Sequence, residues 1–377
     1  MAWTKQVATD YKDALHRIID FTTKAFKAGA VTPGDNTGDG VTYGASASQE
    51  SVAETWTLTC TTLGRDGFPA IFSVFGSESE EQASAVSGEP YSIPEVSFIL
   101  LKGAVDWAVS DSFTFDVAAS TPLWSVNDSD LASAQEWVQL QGVGGSVEGA
   151  DEIFAGFRTH SNNLTYFNME VSGFSGYVGA NSYDDQPGIR SYYSCMSNVA
   201  FDFYIFMTGR SIKVVSVIGT IYEGMYTGWY LPTATIGQYA YPQFVGGSTD
   251  DLVQLVGGTE DDHTNYWRGY SRELSGAIND GTSWVEINEF SPLLFGSFSS
   301  WQANRAGGRT LYPATLLKTS TDNVYGTLEG VEYIANADSA VTTEDVVTIG
   351  TEARVIFQDS FRAGVLNVAA FDLIGDA

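Results

Sequence analysis

Apolar and polar residues alternate with a period of two along most of this chain, and with a helical period in one place. Residues 8–29, ATDYKDALHRIIDFTTKAFKAG, put Tyr11, Leu15, Ile18, Ile19, Thr22 and Phe26 on one helical face. Thr9 or Asp10 is the expected N-cap, because a side-chain oxygen there accepts an orphan backbone N–H. Gly29 is the expected stop, with lysines in the last turns to complement the helix dipole. His16 sits beside the apolar stripe and reads as a flank residue, not a ligand. Residues 31–50, VTPGDNTGDGVTYGASASQE, have little to bury and read as an exposed loop or linker. Asp35, Thr37, Asp39 and Gly40 faintly resemble a calcium loop, but Ser46 stands where the bidentate glutamate belongs.

Beyond residue 50 the strand period takes over. In ETWTLTCTT, Trp56, Leu58 and Cys60 share one face and Thr55, Thr57 and Thr59 the other. PAIFSVFGS and GEPYSIPEVSFILL read as further strands, the second with proline at its edge or entry. AASTPLWSVNDSDLASAQEW is rich in turn residues and marks a boundary. Strand candidates in the next region are EWVQLQG, EIFAGFRTH, LTYFNMEVSGFSGY, the long run VAFDFYIFMTGRSIKVVSVIGTIYEGMYTGWYL, and SWVEINEF. Thr208-Gly209-Arg210 is the turn inside the long run, and residues 184–188, DDQPG, form a loop. Near the C-terminus, VYGTLEGVEYIA reads as a hairpin, VVTIGTEARVIFQD as another around Gly350, and LNVAAFDLI as a closing strand. The fold class that follows is mainly β: an N-terminal helix, then antiparallel β-sandwich or barrel-like domains, then a small C-terminal β domain. The expected division is 1–130, 131–310 and 311–377.

Composition supports the β reading. Of 377 residues 44% are hydrophobic and 13% aromatic, and glycine (39) far outnumbers proline (10). The formal net charge of −28 repels phosphate backbones and anionic lipids, so neither nucleic acid nor a membrane is an expected partner. No apolar run approaches a membrane span, and the first residues lack the apolar core of a signal peptide. Cys60 and Cys195 are too few and too far apart for a disulfide framework and read as buried thiols.

Candidate chemistry is sparse. His16, His160 and His263 are scattered, and no HExxH, CxxC, P-loop or nucleophile-elbow pattern occurs. His160 reads as a strand-end residue, with a base role beside Ser161 as the sharper alternative. Asp261, Asp262 and His263 are adjacent and do not easily face one cation. Asp184 with Asp185, or Glu286 with Glu289, are carboxylate pairs of the kind glycoside hydrolysis uses, yet 46 acidic residues make such pairs expected by chance. No catalytic residue, metal or cofactor is assigned, and the chain reads as a non-enzyme. The 18 basic residues make each arginine scarce. Arg190, Arg210, Arg268, Arg305, Arg309, Arg354 and Arg362 read first as salt-bridge partners of near neighbours and second as interface groups.

The most unusual stretch is GWYLPTATIGQYAYPQFVGGS, residues 228–248, with five aromatics, two prolines, four glycines and no charge. Such a ribbon either covers the protomer's own core or forms a rigid patch that another subunit covers. Trp229, Tyr230, Pro232, Tyr239, Tyr241, Pro242, Phe244 and Arg210 are the candidate interface residues.

RSIKVVSVIGTIYEGMYTGWYLPTATIGQYAYPQFVGGS resembles segments of uncharacterised virion structural proteins of tailed bacteriophages. The resemblance rests on the Gly209-Arg210 turn, the strand segment Val214 to Val217, the Tyr-x-x-x-Tyr turn from Tyr222 to Tyr226, Tyr230-Leu231-Pro232, and Tyr241-Pro242 followed by Val245-Gly246-Gly247. EWVQLQGVGGSVEGADEIFAGFRT, LYPATLLKTSTDNVYGTLEGVEYIA and ARVIFQDSFRAGVLNVAAFDL share its style. It implies a structural protein of the tail, baseplate or neck, located in the virion, assembled in the bacterial host cytoplasm, and partnered by itself and other virion proteins. The alternative is a carbohydrate- or receptor-binding module on the virion, with Trp229, Tyr230, Tyr239 and Tyr241 as platforms for a host surface glycan.

Overall fold

The computed structural model describes residues 2–64, 68–143, 152–162, 166–219, 221–233, 242–247, 252, 275–279, 283–287, 289–290, 310–318, 323–335, 344–349, 352–358 and 367–373. The protein is mainly β, with several antiparallel sheets and, among the described residues, one α-helix near the N-terminus.

A seven-stranded sheet is the centre of the molecule. Its strands, in spatial order, are Ala2–Ala8, Phe201–Met207, Ser211–Ile218, Ile221–Trp229, Gln243–Gly247, Ser275–Asn279 and Trp284–Glu286. Successive side chains of a strand point to opposite faces. Phe203, Ile205 and Met207 therefore enter one core, with Ile212, Val214, Met225 and Val245. Tyr204, Phe206, Val215, Val217, Tyr226 and Phe244 enter a second core on the other side. Burial on both faces is why the sequence there reads as near-continuous apolar runs.

The first face packs against the helix and a five-stranded sheet: Trp124–Asp130, Trp137–Gly142, Ile153–Ser161, Phe167–Phe174 and Arg190–Cys195. The second packs against the C-terminal sheet, whose order is Glu289–Phe290, Thr310–Lys318, Asn323–Ala335, Asn367–Asp372, Glu352–Gln358 and Val346–Ile349. A third core lies between a six-stranded sheet, built on Glu54–Thr62, Ile71–Gly76 and Ser112–Ala119, and the three-stranded sheet Val41–Ala47, Val96–Leu101, Pro90–Ser92. Trp56, Leu58 and Cys60 are its inward row, as their spacing predicts.

The helix is shorter than its sequence pattern. It runs Tyr11–Thr22 and buries Tyr11, Ala14, Leu15, Ile18, Phe21 and Thr22. Asp10 is the N-cap, its Oδ1 accepting from the amides of Lys12 (2.8 Å) and Asp13 (3.0 Å), while Asp13 returns an acceptor to Thr9 N at 2.8 Å. Asp10→Ala is expected to lower unfolding stability by about 1 kcal/mol, read as a reduced urea midpoint with unchanged slope. The C-terminal end differs from expectation. The helix stops at Thr22, with Thr23 as C-cap, well before Gly29, and the hydroxyls of Thr22 and Thr23 donate back to the carbonyls of Ile18 and Ile19, each at 2.8 Å. Phe26–Ala28 then joins Ser112–Ala119 as a strand, so Phe26 leaves the helical face.

Other expectations change for similar reasons. The strand Ala2–Ala8 was not visible as one, yet it pairs with Phe201–Met207 from Ala2↔Met207 to Ala8↔Phe201 and so crosses the expected boundary at residue 130. Within 31–50, Val41–Ala47 is a strand with buried Ala45 and Ala47. Its small residues permit close approach instead of filling space. Gly44 has φ +68°, a Cβ there would lie 2.1 Å from the Leu373 carbonyl, and the Trp3 indole donates to the Gly44 carbonyl at 2.8 Å. GEPYSIPEVSFILL is a hairpin of two strands, not one strand. The turn-rich boundary stretch contains the strand Trp124–Asp130, anchored by a fully buried Trp124. VYGTLEGVEYIA lies within a single 13-residue strand, Asn323–Ala335. Its register jumps between Thr315↔Thr327 and Pro313↔Glu332, and Gly330 (φ +64°) sits inside the irregularity, so the extra residues bulge where a turn was expected.

Candidate functional site

The aromatic ribbon begins where backbones crowd. Gly228 has φ +132°, and a Cβ there would lie 2.2 Å from the Arg210 carbonyl. Trp229 N donates to that same carbonyl at 2.8 Å, Tyr230 N donates to Pro242 O at 2.9 Å, and Tyr226 OH donates to Trp229 O at 2.6 Å. Tyr230 and Phe244, each 1% exposed, belong to the core between the central and C-terminal sheets, with Phe244 edge-on to Tyr226 at 5.6 Å. Pro242 is buried as well, and Trp229 is half-buried against the opposite core. These positions correct the contact role expected of Tyr230, Pro242 and Phe244. Large rings on a sheet buried on both faces gain most by filling their own protomer. Tyr230 accordingly offers no open face to a sugar.

The ribbon then surfaces. Leu231 and Pro232 are exposed and form a two-residue strand on Asn323–Ala335, registered on Thr327 and Gly326. Leu231 is 43% exposed and Val324, on the partner strand, 49%. Thr233 N continues the ladder to Tyr325 O at 3.1 Å. Tyr239 and Tyr241 lie outside the described residues. Arg210, half-buried at the hairpin turn, pairs with Glu329, which also accepts from Thr208 Oγ1 at 3.0 Å.

A polar network that sequence reasoning did not assemble lies inside the five-stranded sheet. Antiparallel register sets Arg158 opposite Glu170, and His160, two residues on, shares the Arg158 face. Glu170 Oε2 accepts from Arg158 Nε at 2.7 Å and lies 2.6 Å from His160 Nε2, while Oε1 takes the Ser172 hydroxyl at 3.2 Å. Arg158 also grips Asp184 with both terminal nitrogens, at 2.9 and 2.8 Å, and its guanidinium lies over the Tyr183 ring at 4.6 Å. Burial pushes the Glu170 carboxyl up, but hydrogen bonds from His160 and Arg158 outweigh it and hold the group near pKa 2. Gln135 Nε2 lies 3.3 Å from His160 Nδ1, so both ring nitrogens are engaged. Ser161, the next residue of the strand, faces the other way. Chemically this is a locked ion-pair network.

The other candidates resolve similarly. Glu286 pairs with Arg190 at 2.6 Å, Asp185 accepts from Ser182 Oγ at 2.6 Å, and His16 Nε2 lies 2.8 Å from Glu136. Arg354 reaches Glu332 (2.6 Å), Glu352 (2.7 Å) and Asp372 (2.6 Å). The described arginines of the expected set are thus salt-bridged to their own chain. Asp261, Asp262, His263, Arg268, Arg305, Arg309 and Arg362 fall outside the described residues, as does the Glu289 side chain. Among the described residues no three His, Cys, Asp or Glu side chains are grouped to hold a metal. Both cysteines are buried, and burial pushes their thiols up.

A second buried charge cluster joins the central and C-terminal sheets. Lys213 lies 5.6 Å from the Tyr226 ring centroid, within the field of Glu329, Asp372 and Arg210. At the sheet edge, Glu344 accepts from Lys5 Nζ at 2.7 Å and Tyr204 OH at 2.8 Å, tying residues near both ends of the chain. The signal available in sequence was the lone charge inside an apolar strand: Arg158 in IFAGFRTHS, Glu170 in FNMEVSGF, Lys213 in SIKVVSVI.

No family model matches the sequence, and no curated protein matches it. Among solved structures, FlgL of Xanthomonas campestris is similar over 28% of this chain and 34% of that one, at 17% identity and a TM-score of 0.20, so the chain spans about a third of that protein.

Proposed function

We propose that this chain is a structural component of a tailed-phage virion, of its tail, baseplate or neck, assembling as a symmetric homo-oligomer with other virion proteins. The observation that carries the reading is the split of the uncharged ribbon: Tyr230 and Phe244 root it in the core, and Leu231 and Pro232 lie in the open beside Val324. A rooted apolar ridge is preorganised for contact, because little ordering remains for binding to impose. The buried ion pairs brace the sheets behind it. The segment that resembles phage virion proteins includes this ridge.

Sedimentation of the purified chain is expected to give a closed oligomer, and mass spectrometry of purified particles to find it in them. Leu231→Asp is expected to weaken assembly at least tenfold, about 1.4 kcal/mol, while the protomer's urea midpoint stays put, since exposed positions shift stability by only about 0.5 kcal/mol. A monodisperse wild-type monomer missing from particles ends the reading.

A further inference from the structure

At one place in the C-terminal sheet a single N–H faces two carboxylates. Arg354 is registered directly on Asp372, and Glu332 is registered on Ala370, two residues from Asp372 and so on the same face. Glu332 Oε2 and Asp372 Oδ1 each lie 2.6 Å from Arg354 Nε, which carries one hydrogen. Glu332 accepts it. Asp372 Oδ1 is buried and accepts no hydrogen bond among the described residues. Glu352 accepts from Nη2 at 2.7 Å, so three carboxylates crowd one guanidinium.

Like charges this close resist ionising together, and the pair titrates as a unit. The Asp372 and Glu332 side chains are only 14% and 27% exposed, so water screens them little. Burial pushes the Asp372 carboxyl up; Arg354 and Lys213 oppose that, while Glu332 and Glu352 add to it. Tyr43, on the strand Val41–Ala47, lies in the field of Glu352, Asp372 and Arg354. The residue after Asp372 closes the fold. Leu373 N donates to Ala353 O at 3.1 Å, its side chain is buried, and its carbonyl closely approaches Gly44, whose own carbonyl accepts from the Trp3 indole.

We propose that Asp372 keeps a proton against Glu332, and that the pair is a pH-sensitive clasp on the closing strand, tight in acid and loosened once both carboxylates ionise. The clasp does not require the virion reading. A proton favoured by the fold stabilises fully below the ordinary aspartate value of 3.8, and its contribution is lost as pH rises through the raised folded value.

The test compares the full chain with Asp372→Asn, which keeps the shape and stays neutral, and with Glu332→Gln, which removes the competing charge. At pH 5, where an ordinary aspartate is ionised, wild type is expected to show the infrared C=O band of one protonated carboxyl that both variants lack. Carboxyls elsewhere cancel in the difference spectrum. From pH 5 to pH 8 the unfolding constant of wild type is expected to rise roughly threefold or more relative to each variant. Protection of the Leu373 amide against hydrogen exchange, corrected for intrinsic rate, is expected to fall over that interval in wild type alone. No difference in the band, parallel unfolding profiles, or Leu373 protection that does not move overturns the clasp. Should Asp372→Asn fail to fold, Glu332→Gln decides by the same three readouts.

Discussion

Glu170→Ala is expected to destabilise the protein by about 3–5 kcal/mol, among the largest effects a single substitution here can have. Glu170 is 1% exposed and is the common acceptor of Arg158 and His160. Its removal leaves the Arg158 guanidinium, itself little exposed, with Asp184 alone, and Asp184 is largely open to water. Exposed partners are screened and compensate poorly. The pH dependence follows from the same geometry. The carboxyl titrates near 2 in the fold and near 4.5 unfolded, so its contribution is complete above about pH 4.5 and disappears as pH falls through 2. At 1.36 kcal/mol per unit that is about 3 kcal/mol. Urea unfolding of wild type and Glu170→Gln at pH 7 and pH 2.5 checks it: the stability gap should be wide at pH 7 and shrink to about a quarter of that width at pH 2.5. A gap of constant width would mean that the network contributes only packing.

What sequence reading captured, and what it missed, divides along physical lines. Patterns local in sequence were legible: the Trp56-Leu58-Cys60 row, the Thr208-Gly209-Arg210 turn, and a helix cap at Thr9 or Asp10, of which the structure uses Asp10. Features decided by what a segment meets far along the chain were not. The strand Ala2–Ala8 carries Thr4, Lys5 and Gln6, an unremarkable polar run, and becomes a strand because Phe201–Met207 presents a free ladder to it. Val41–Ala47 has almost nothing to bury and is a strand because glycine and alanine let the Trp3 indole and the Leu373 carbonyl approach. The same blindness applied to the ribbon. Its composition announced an adhesive segment, yet only partner register reveals that Tyr230 and Phe244 point inward while Leu231 and Pro232 do not. The buried charges were hidden because each partner sits on another strand: twelve residues separate Arg158 from Glu170, and 119 separate Arg210 from Glu329.

Raising the pH from 8 to 10.5 is expected to stabilise wild type relative to Lys213→Met by about 3 kcal/mol. Lys213 is 0% exposed, and its strand inserts it between two apolar sheets. Burial dominates and draws the ammonium down from 10.5 to about 8, although Glu329 and Asp372 pull it upward and Arg210 opposes them. Between those two pH values the unfolded chain holds a proton that the folded chain has released, so folding gains as pH rises, and the penalty of the buried charge stands in full below pH 8. Methionine matches the length of the stem without the charge. Glu329 keeps Arg210 and the Thr208 hydroxyl in the variant, so at pH 7 the variant is expected to be at least as stable as wild type. Urea midpoints of both proteins across this interval decide the matter, because surface tyrosines and lysines titrate alike in each and cancel. Parallel profiles would mean that Lys213 keeps its proton throughout, held by Glu329 and Asp372 against the cost of its burial.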